Sequence, residues 1–179
     1  NSTPFVSAYP WSSSTGFGAK YANPCTLPAG TGQGVAFNPN GTQVVIAHNS
    51  TPFVSAYPWS SSTGFGAKYA NPSTLPAGTT YSVSFSPNGN YVVAAHSSSP
   101  FISVYPWDAG FGTKVANPSS LPSNTGFCCE WSPDGRFLGV ARGATPFISA
   151  YPWNGGFGTI VANPVNLPAG SGTGIAWHR

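Results

Sequence analysis

Charge is scarce in this sequence. Lys plus Arg number 6 and Asp plus Glu number 3, so charged residues make up 5% of the 179, where a quarter is usual. The formal net charge of +3 comes from scattered residues rather than a run, so no basic stripe marks a nucleic-acid partner. Methionine is absent, and there are three cysteines, Cys25, Cys128 and Cys129. None recurs at a repeated position: Ser73 stands where a copy of Cys25 would be. An odd, unrepeated set excludes both a disulfide framework and a paired Cys-x-x-Cys metal site. Cys128 and Cys129 read as small buried apolar residues on opposite faces of one strand. No apolar run is long enough to span a membrane as a helix and no signal peptide is visible, so no membrane partner is expected.

Turn formers and aromatics are plentiful. Gly numbers 22, Pro 19, and aromatics make up 15% of the chain, a mixture that fits many short strands and many turns rather than helices. One phrase organises the sequence. Ser-Thr-Pro-Phe-Val-Ser-Ala-Tyr-Pro-Trp runs from Ser2 to Trp11 and again, letter for letter, from Ser50 to Trp59. Close variants follow at Ser98 to Trp107 and Ala144 to Trp153, so the steps between copies are 48, 48 and 46 residues. Such a period signals an array of one supersecondary unit. Because Asn1-Ser2-Thr3 matches Asn49-Ser50-Thr51, the chain is expected to begin in mid-phrase, with its natural start elsewhere.

Aligning the copies resolves four segments per repeat. The first closes on an aromatic: Gly34 to Phe37, Ser82 to Phe85, Cys128 to Trp131 and Gly174 to Trp177. Pro-Asn-Gly or Pro-Asp-Gly follows at Pro39, Pro87 and Pro133, a strong short hairpin signal because both central residues tolerate positive φ. The second is a short apolar run, Val44 to His48, Tyr91 to His96 and Phe137 to Arg142, read as a buried strand. The third is the core of the phrase. Phe53, Ser55 and Tyr57 are expected on one face, Val54 and Ala56 on the other, with prolines where pairing starts and stops. The fourth runs from Phe17 to Ala22, with copies at Phe65, Phe111 and Phe157. Four short antiparallel strands every 40-odd residues predict an all-β fold, a β-propeller of four-stranded blades. Complete blades are expected at about residues 31–70, 79–116 and 125–162, and a split blade from 1–24 and 171–179.

Here the sequence resembles the WD-repeat family. The resemblance rests on the first strand running into Ser86 to Gly89 or Ser132 to Gly135, then an apolar second strand and a third ending in Trp. It covers essentially the whole chain and concerns blade grammar rather than signature. Tyr-Pro-Trp replaces the family's Trp-Asp dipeptide, which survives only at Trp107-Asp108, and the Gly-His pair is missing. The phrase is also similar to repeats in uncharacterised phage and prophage proteins. The family likeness implies a non-enzymatic scaffold whose faces bind another protein.

The strand count leaves the split blade without its second strand. A truncation is one expected explanation, a deliberately repeated sequence another. One chain could close as four blades with one defective. Alternatively, two chains could exchange ends into a wider eight-bladed ring, and this strand-swapped homodimer is the preferred expectation. Residues 1–30 and 49–78 differ only at Cys25 versus Ser73, so neighbouring blades would accept each other's edges readily.

Candidate chemistry is sparse. His48 and His96 share one repeat position that Arg142 fills in the third copy. They read as structural residues needing one hydrogen bond each, since no carboxylate or cysteine recurs beside them. Asp108, Glu130 and Asp134 occupy different repeat positions, and Asp134 is explained by its turn. No Gly-x-Ser-x-Gly elbow occurs, and the glycine-rich Gly30 to Gly34 precedes a strand, not the helix of a phosphate cradle. Lys20, Lys68 and Lys114 are read as gatekeepers on the outermost strand. The repeated Trp11, Trp59, Trp107 and Trp153 are the candidate ligand-binding residues, as aromatic platforms for sugar rings; packing between blades is their structural alternative. The expectation is therefore a non-enzymatic interaction module that binds protein. Its alternative is a lectin-like propeller with repeated glycan sites. No catalytic residue, cofactor or metal is expected.

Overall fold

The Asn-Gly and Asp-Gly dipeptides close hairpins for a backbone reason. In the computed structural model, which describes residues 3–178, Gly41, Gly89 and Gly135 have φ of 67°, 75° and 71°, where only glycine sits without steric cost. The residue that opens each turn caps it with its side chain. Asn38 Oδ1 accepts from the backbone N–H groups of Thr42 and Gln43. Ser86 Oγ accepts from Tyr91 N–H, and Ser132 Oγ from Phe137 N–H. Asn1, Ser2 and Arg179, at the margins of the expected split unit, lie outside the described residues.

The described residues hold strands and no helix. A two-residue hairpin, β1 (Trp11–Ser12) and β2 (Gly16–Phe17), comes first. The first full unit has β3 (Gly32–Phe37), β4 (Gln43–His48), β5 (Val54–Ser60) and β6 (Gly64–Phe65) in that spatial order. The second has β7 (Thr80–Phe85), β8 (Tyr91–His96) and β9 (Ile102–Pro106); the third has β10 (Gly126–Trp131), β11 (Phe137–Arg142) and β12 (Ile148–Pro152). All pairings are antiparallel, and each unit carries the same register, as in Val45 opposite Ala56 and Val93 opposite Val104. A bulge recurs early in β3, β7 and β10.

Three expectations need correction. The fourth strand is nearly vestigial. It survives as β6 and β2, and elsewhere as the single bridges Trp107 to Phe111 and Trp153 to Phe157. Beyond that point only isolated bonds continue, such as Tyr69 N–H to Ala56 O and Val115 N–H to Val104 O. The glycine that follows each Phe packs closely on the proline of the third strand, Gly66 on Pro58 and Gly158 on Pro152, and that proline has no N–H with which to extend the ladder. Second, Phe53, Phe101 and Phe147 do not lie on a strand face. Each stands just before its strand with φ near the left-handed region (69°, 67° and 68°). There its N–H reaches back to Ser50, Ser98 or Ala144, and its carbonyl accepts from His48, His96 or Arg142. The turn's hydrogen bonds impose a conformation that costs of order 1 kcal/mol for a non-glycine residue. Third, residues 174–177 and residues 3–10 form no ladder; residues 8–10 only accept isolated bonds, from Tyr21 N–H to Ala8 O and from Gly18 N–H to Pro10 O.

Burial on both faces explains the missing alternation. Val54, Ser55, Ala56 and Tyr57 are all buried, because the first sheet packs on the second unit through one face and with Val6, Trp59 and Phe65 through the other. Val45, Val54 and Ala56 pack against Phe85, Val92 and Trp107 of the second unit. Ile102 and Val104 in turn meet Trp131, Leu138 and Trp153 of the third. A tyrosine clips each unit to the connector before it: Tyr57 Oη donates to Thr26 O at 2.8 Å, Tyr105 Oη to Thr74 O at 2.9 Å and Tyr151 Oη to Ser120 O at 2.9 Å.

Two histidines sit in this packing. His48 Nε2 lies 3.1 Å from Ser55 Oγ, and His96 Nε2 lies 3.0 Å from Ser103 Oγ. Both imidazoles are wholly buried, and the Nδ1 atom of each has no partner among the described residues. Burial pushes the His96 imidazole down to about 4 and lowers that of His48. In the third unit Arg142 takes this place, donating to Ser123 Oγ and Ile148 O.

Two outcomes follow. Tyr105→Phe removes one clip and strands the Thr74 carbonyl, and should lower unfolding free energy by about 1 kcal/mol in urea titrations. The His96 value is depressed in the folded state, so the unfolded chain takes up the proton first. The stability due to neutral His96 is complete above about pH 6.5 and is lost as pH falls toward 4, by about 3 kcal/mol in all. Denaturant titrations between pH 7.5 and 4.5 should show this loss in the wild-type chain and much less of it in His96→Gln; equal slopes would refute the assignment.

Candidate active site

Asp134 occupies the repeat position that Asn40 and Asn88 hold in the other turns, and it is the one turn residue of the three that carries charge. Its carboxylate is built into the turn. Oδ1 accepts from Ser132 Oγ at 2.6 Å and from Arg136 N–H at 3.1 Å, while Oδ2 accepts from Arg136 Nε at 2.6 Å. These bonds, Ser132 first and Arg136 next, hold the carboxyl well below the usual carboxylate range. It therefore stays ionised and is a weak proton acceptor, suited to orienting or electrostatic work.

The fold places an imidazole beside the same turn. His178 stands at the repeat position of Ser86 and Ser132, one unit further on. Asp134 and His178 line one cleft of about 320 Å³ together with Ser132, Pro133, Phe137 and Trp177. Trp177 is fixed by a hydrogen bond from its Nε1 to Glu130 O at 3.1 Å, and its ring lies 6.2 Å from that of Phe137, tilted by 32°. The cleft thus has an apolar wall, an exposed imidazole and an ionised carboxylate at its rim. In a chain this poor in charge, that convergence is the strongest candidate for chemistry. A related cleft of about 290 Å³ lies on the other side of Asp134, lined by Asn88, Tyr91 and Trp153; it has no imidazole.

The other sequence candidates do not converge. Trp107 and Trp153 are buried at unit junctions. Trp107 donates from Nε1 to Gln43 Oε1 at 2.7 Å, and each meets a phenylalanine ring edge-on, Phe111 and Phe157 respectively. Trp59 is half-buried between Tyr21, Phe37 and Phe65, whereas Trp11 is 68% exposed. The Ser55–His48 and Ser103–His96 pairs have the reach of a nucleophile and its base, but both are sealed from solvent and no carboxylate orients either imidazole. Burial pushes the Cys129 thiol up to about 12, which keeps it protonated and unreactive. Lys68 and Lys114 bond to Asn71 and Asn117 at the outer edge. Among the described residues no cluster of His, Cys, Asp or Glu could hold a metal ion.

The sequence alone explains Asp134 by its turn and does not single out His178. The 46-residue offset between Ser132 and His178 was the available signal that the two would face each other across a junction.

No protein-family model and no curated protein matches the chain. Solved structures do. A crystal structure described as a "putative 6-phosphogluconolactonase" from Bacteroides fragilis is 18% identical with a TM-score of 0.66, covering 83% of this chain and 42% of its own. One described in the same words from Bacteroides uniformis is 15% identical with a TM-score of 0.64, covering 87% and 49%. A protein from Lactobacillus plantarum is 15% identical with a TM-score of 0.71, covering 92% and 50%. The chain thus spans half or less of the length of each of these three structures. The expectation of a non-enzymatic scaffold, with its lectin-like alternative, is overturned by these neighbours: structures sharing this arrangement are described as enzymes, so repeated sheets without a sequence signature do not argue for a mere scaffold. What the chain has in common with them is an all-β fold of consecutive small antiparallel sheets, the fold of structures described as lactonases.

Proposed function

We propose that the chain forms three blades and parts of a further one in a β-propeller hydrolase, and that it opens a lactone ring at the Asp134–His178 cleft. The observation that carries this reading is the cleft itself, where a carboxylate and an imidazole share one apolar-walled opening. Its support comes from the fold likeness to structures described as 6-phosphogluconolactonases. The propeller arrangement accounts for the repeating register and for sheets that bury both faces.

Hydrolysis of a ring ester needs a water made nucleophilic and a partner for the charge that develops on the carbonyl oxygen. In this reading His178 takes a proton from water as the oxygen attacks the ring carbonyl. The ring C–O bond then breaks, and the imidazolium returns the proton to the departing ring oxygen, leaving an open hydroxy acid. Asp134, which lines the cleft, pairs with the exposed guanidinium of the neighbouring Arg136, and in this reading that guanidinium attracts an anionic oxygen, either the developing oxyanion or a phosphate on the substrate. Trp177 offers its face to the sugar ring.

Acid release from δ-gluconolactone and its 6-phosphate ester, followed in a pH-stat, tests the reading. The wild-type chain should exceed the buffer rate, and His178→Ala should lose at least about 100-fold with an unchanged circular dichroism spectrum. Arg136→Gln should raise KM more for the phosphorylated substrate than for the plain one. A wild-type rate equal to buffer, or a His178→Ala rate equal to wild type, would sink it.

A further inference from the structure

The two interior junctions use one chemistry. An offering face, Val54 and Ala56 or Ile102 and Val104, receives an aromatic hairpin ending at Trp107 or Trp153. The same two faces recur without each other at opposite sides of the molecule. In the third unit the offering positions are Ile148 and Ala150. They line an apolar groove of about 280 Å³, bordered by Val161, Pro164 and Trp177. Val161 is 41% exposed there, and Ser149, buried in the same lining, has no partner for its Oγ among the described residues. The receiving position of Trp107 and Trp153 is held at the other side by Trp11. Trp11 is 68% exposed and Phe17 is 76% exposed, and the two rings meet edge-on at 5.0 Å. Isolated exposed aromatics need no explanation, but a hairpin that repeats a buried one and lies bare is an unfilled contact.

We propose that the occupant of each bare face is the other face on a second copy of this chain, giving a closed ring of two chains with two equal junctions. Three observations select a second copy. The bare faces carry the residue types that already join adjacent units, so a head-to-tail contact reproduces a packing the molecule makes twice. The chain matches 42, 49 and 50% of the solved structures' own lengths, so two copies in series supply one such structure's span. The groove and the hairpin carry no charged side chain on these contact positions, so neither face resists desolvation. With both faces on every chain, the contact is heterologous and closes at two copies by a two-fold axis. This inference does not depend on lactone hydrolysis.

Multi-angle light scattering at tens of micromolar tests it. The wild-type chain should elute at twice the 18.4 kDa of one chain. Trp11→Glu and Val161→Glu, both at exposed positions that leave the units' cores intact, should each elute at single-chain mass with wild-type circular dichroism. Mixing the two variants should restore the doubled mass, because one of the two junctions then keeps both unaltered faces. A wild-type mass of 18.4 kDa, as when the hairpin folds back on its own chain, would overturn the proposal. So would larger open assemblies, variants that remain paired, or a mixture that stays at single-chain mass.

Discussion

Everything in this molecule depends on sheets that bury both faces against copies of themselves. A chain with so little charge has few groups with which to solvate a sheet face; its second and third strands are mostly apolar, and His48 and His96 sit against Ser55 and Ser103 inside them. Val44 to His48 and Val54 to Tyr57 are buried along their whole length, covered by Val83, Phe85, Val92 and Trp107 of the next unit and, at Val44, Ile46 and Tyr57, by Val6, Trp59 and Phe65. At about 25 cal/mol per Å², such burial is the main favourable contribution, and it is made between units as much as within them. The tyrosine clips and the capped turns act on top of it by fixing register. Ser132 or Ser86 satisfies turn N–H groups that would otherwise be stranded, and each tyrosine hydroxyl satisfies a connector carbonyl.

Much of this was legible. Asn-Gly and Asp-Gly announced the hairpins, because their φ requirement is local. The second strands were legible from β-branched runs, and the repeat period gave their number. What failed were features set by neighbours. The fourth strand shrank to two residues or one bridge because its glycine faces a third-strand proline that has no N–H to continue the pairing. Phe53 left the strand face because its N–H donates to Ser50 O and its carbonyl accepts from His48 N–H, closing a turn that no alternation of side chains encodes. Trp107 and Trp11 have the same sequence setting, yet one is buried and the other bare; only the presence of an adjacent unit distinguishes them.

The candidate site shows the same limit. His178 and Asp134 are far apart in sequence and unremarked by any motif. They line one cleft because the register of one unit is repeated in the next, which brings the end of one unit beside the turn of the unit before it. Asp134 thereby lines two clefts at once. In a repeat fold, chemistry can arise from one deviation in each of two copies, which a search for fixed spacings would pass over.

The direction of the tyrosine clips has a consequence for how the molecule is made. The hydroxyls of Tyr57, Tyr105 and Tyr151 each reach a carbonyl 31 residues earlier in the chain, never one that comes later. As the polypeptide emerges from a ribosome, each new unit therefore finds its latch already synthesised and waiting. The units can seal one after another like courses of shingles, each lapped over the last, while the most recent face stays open for the next.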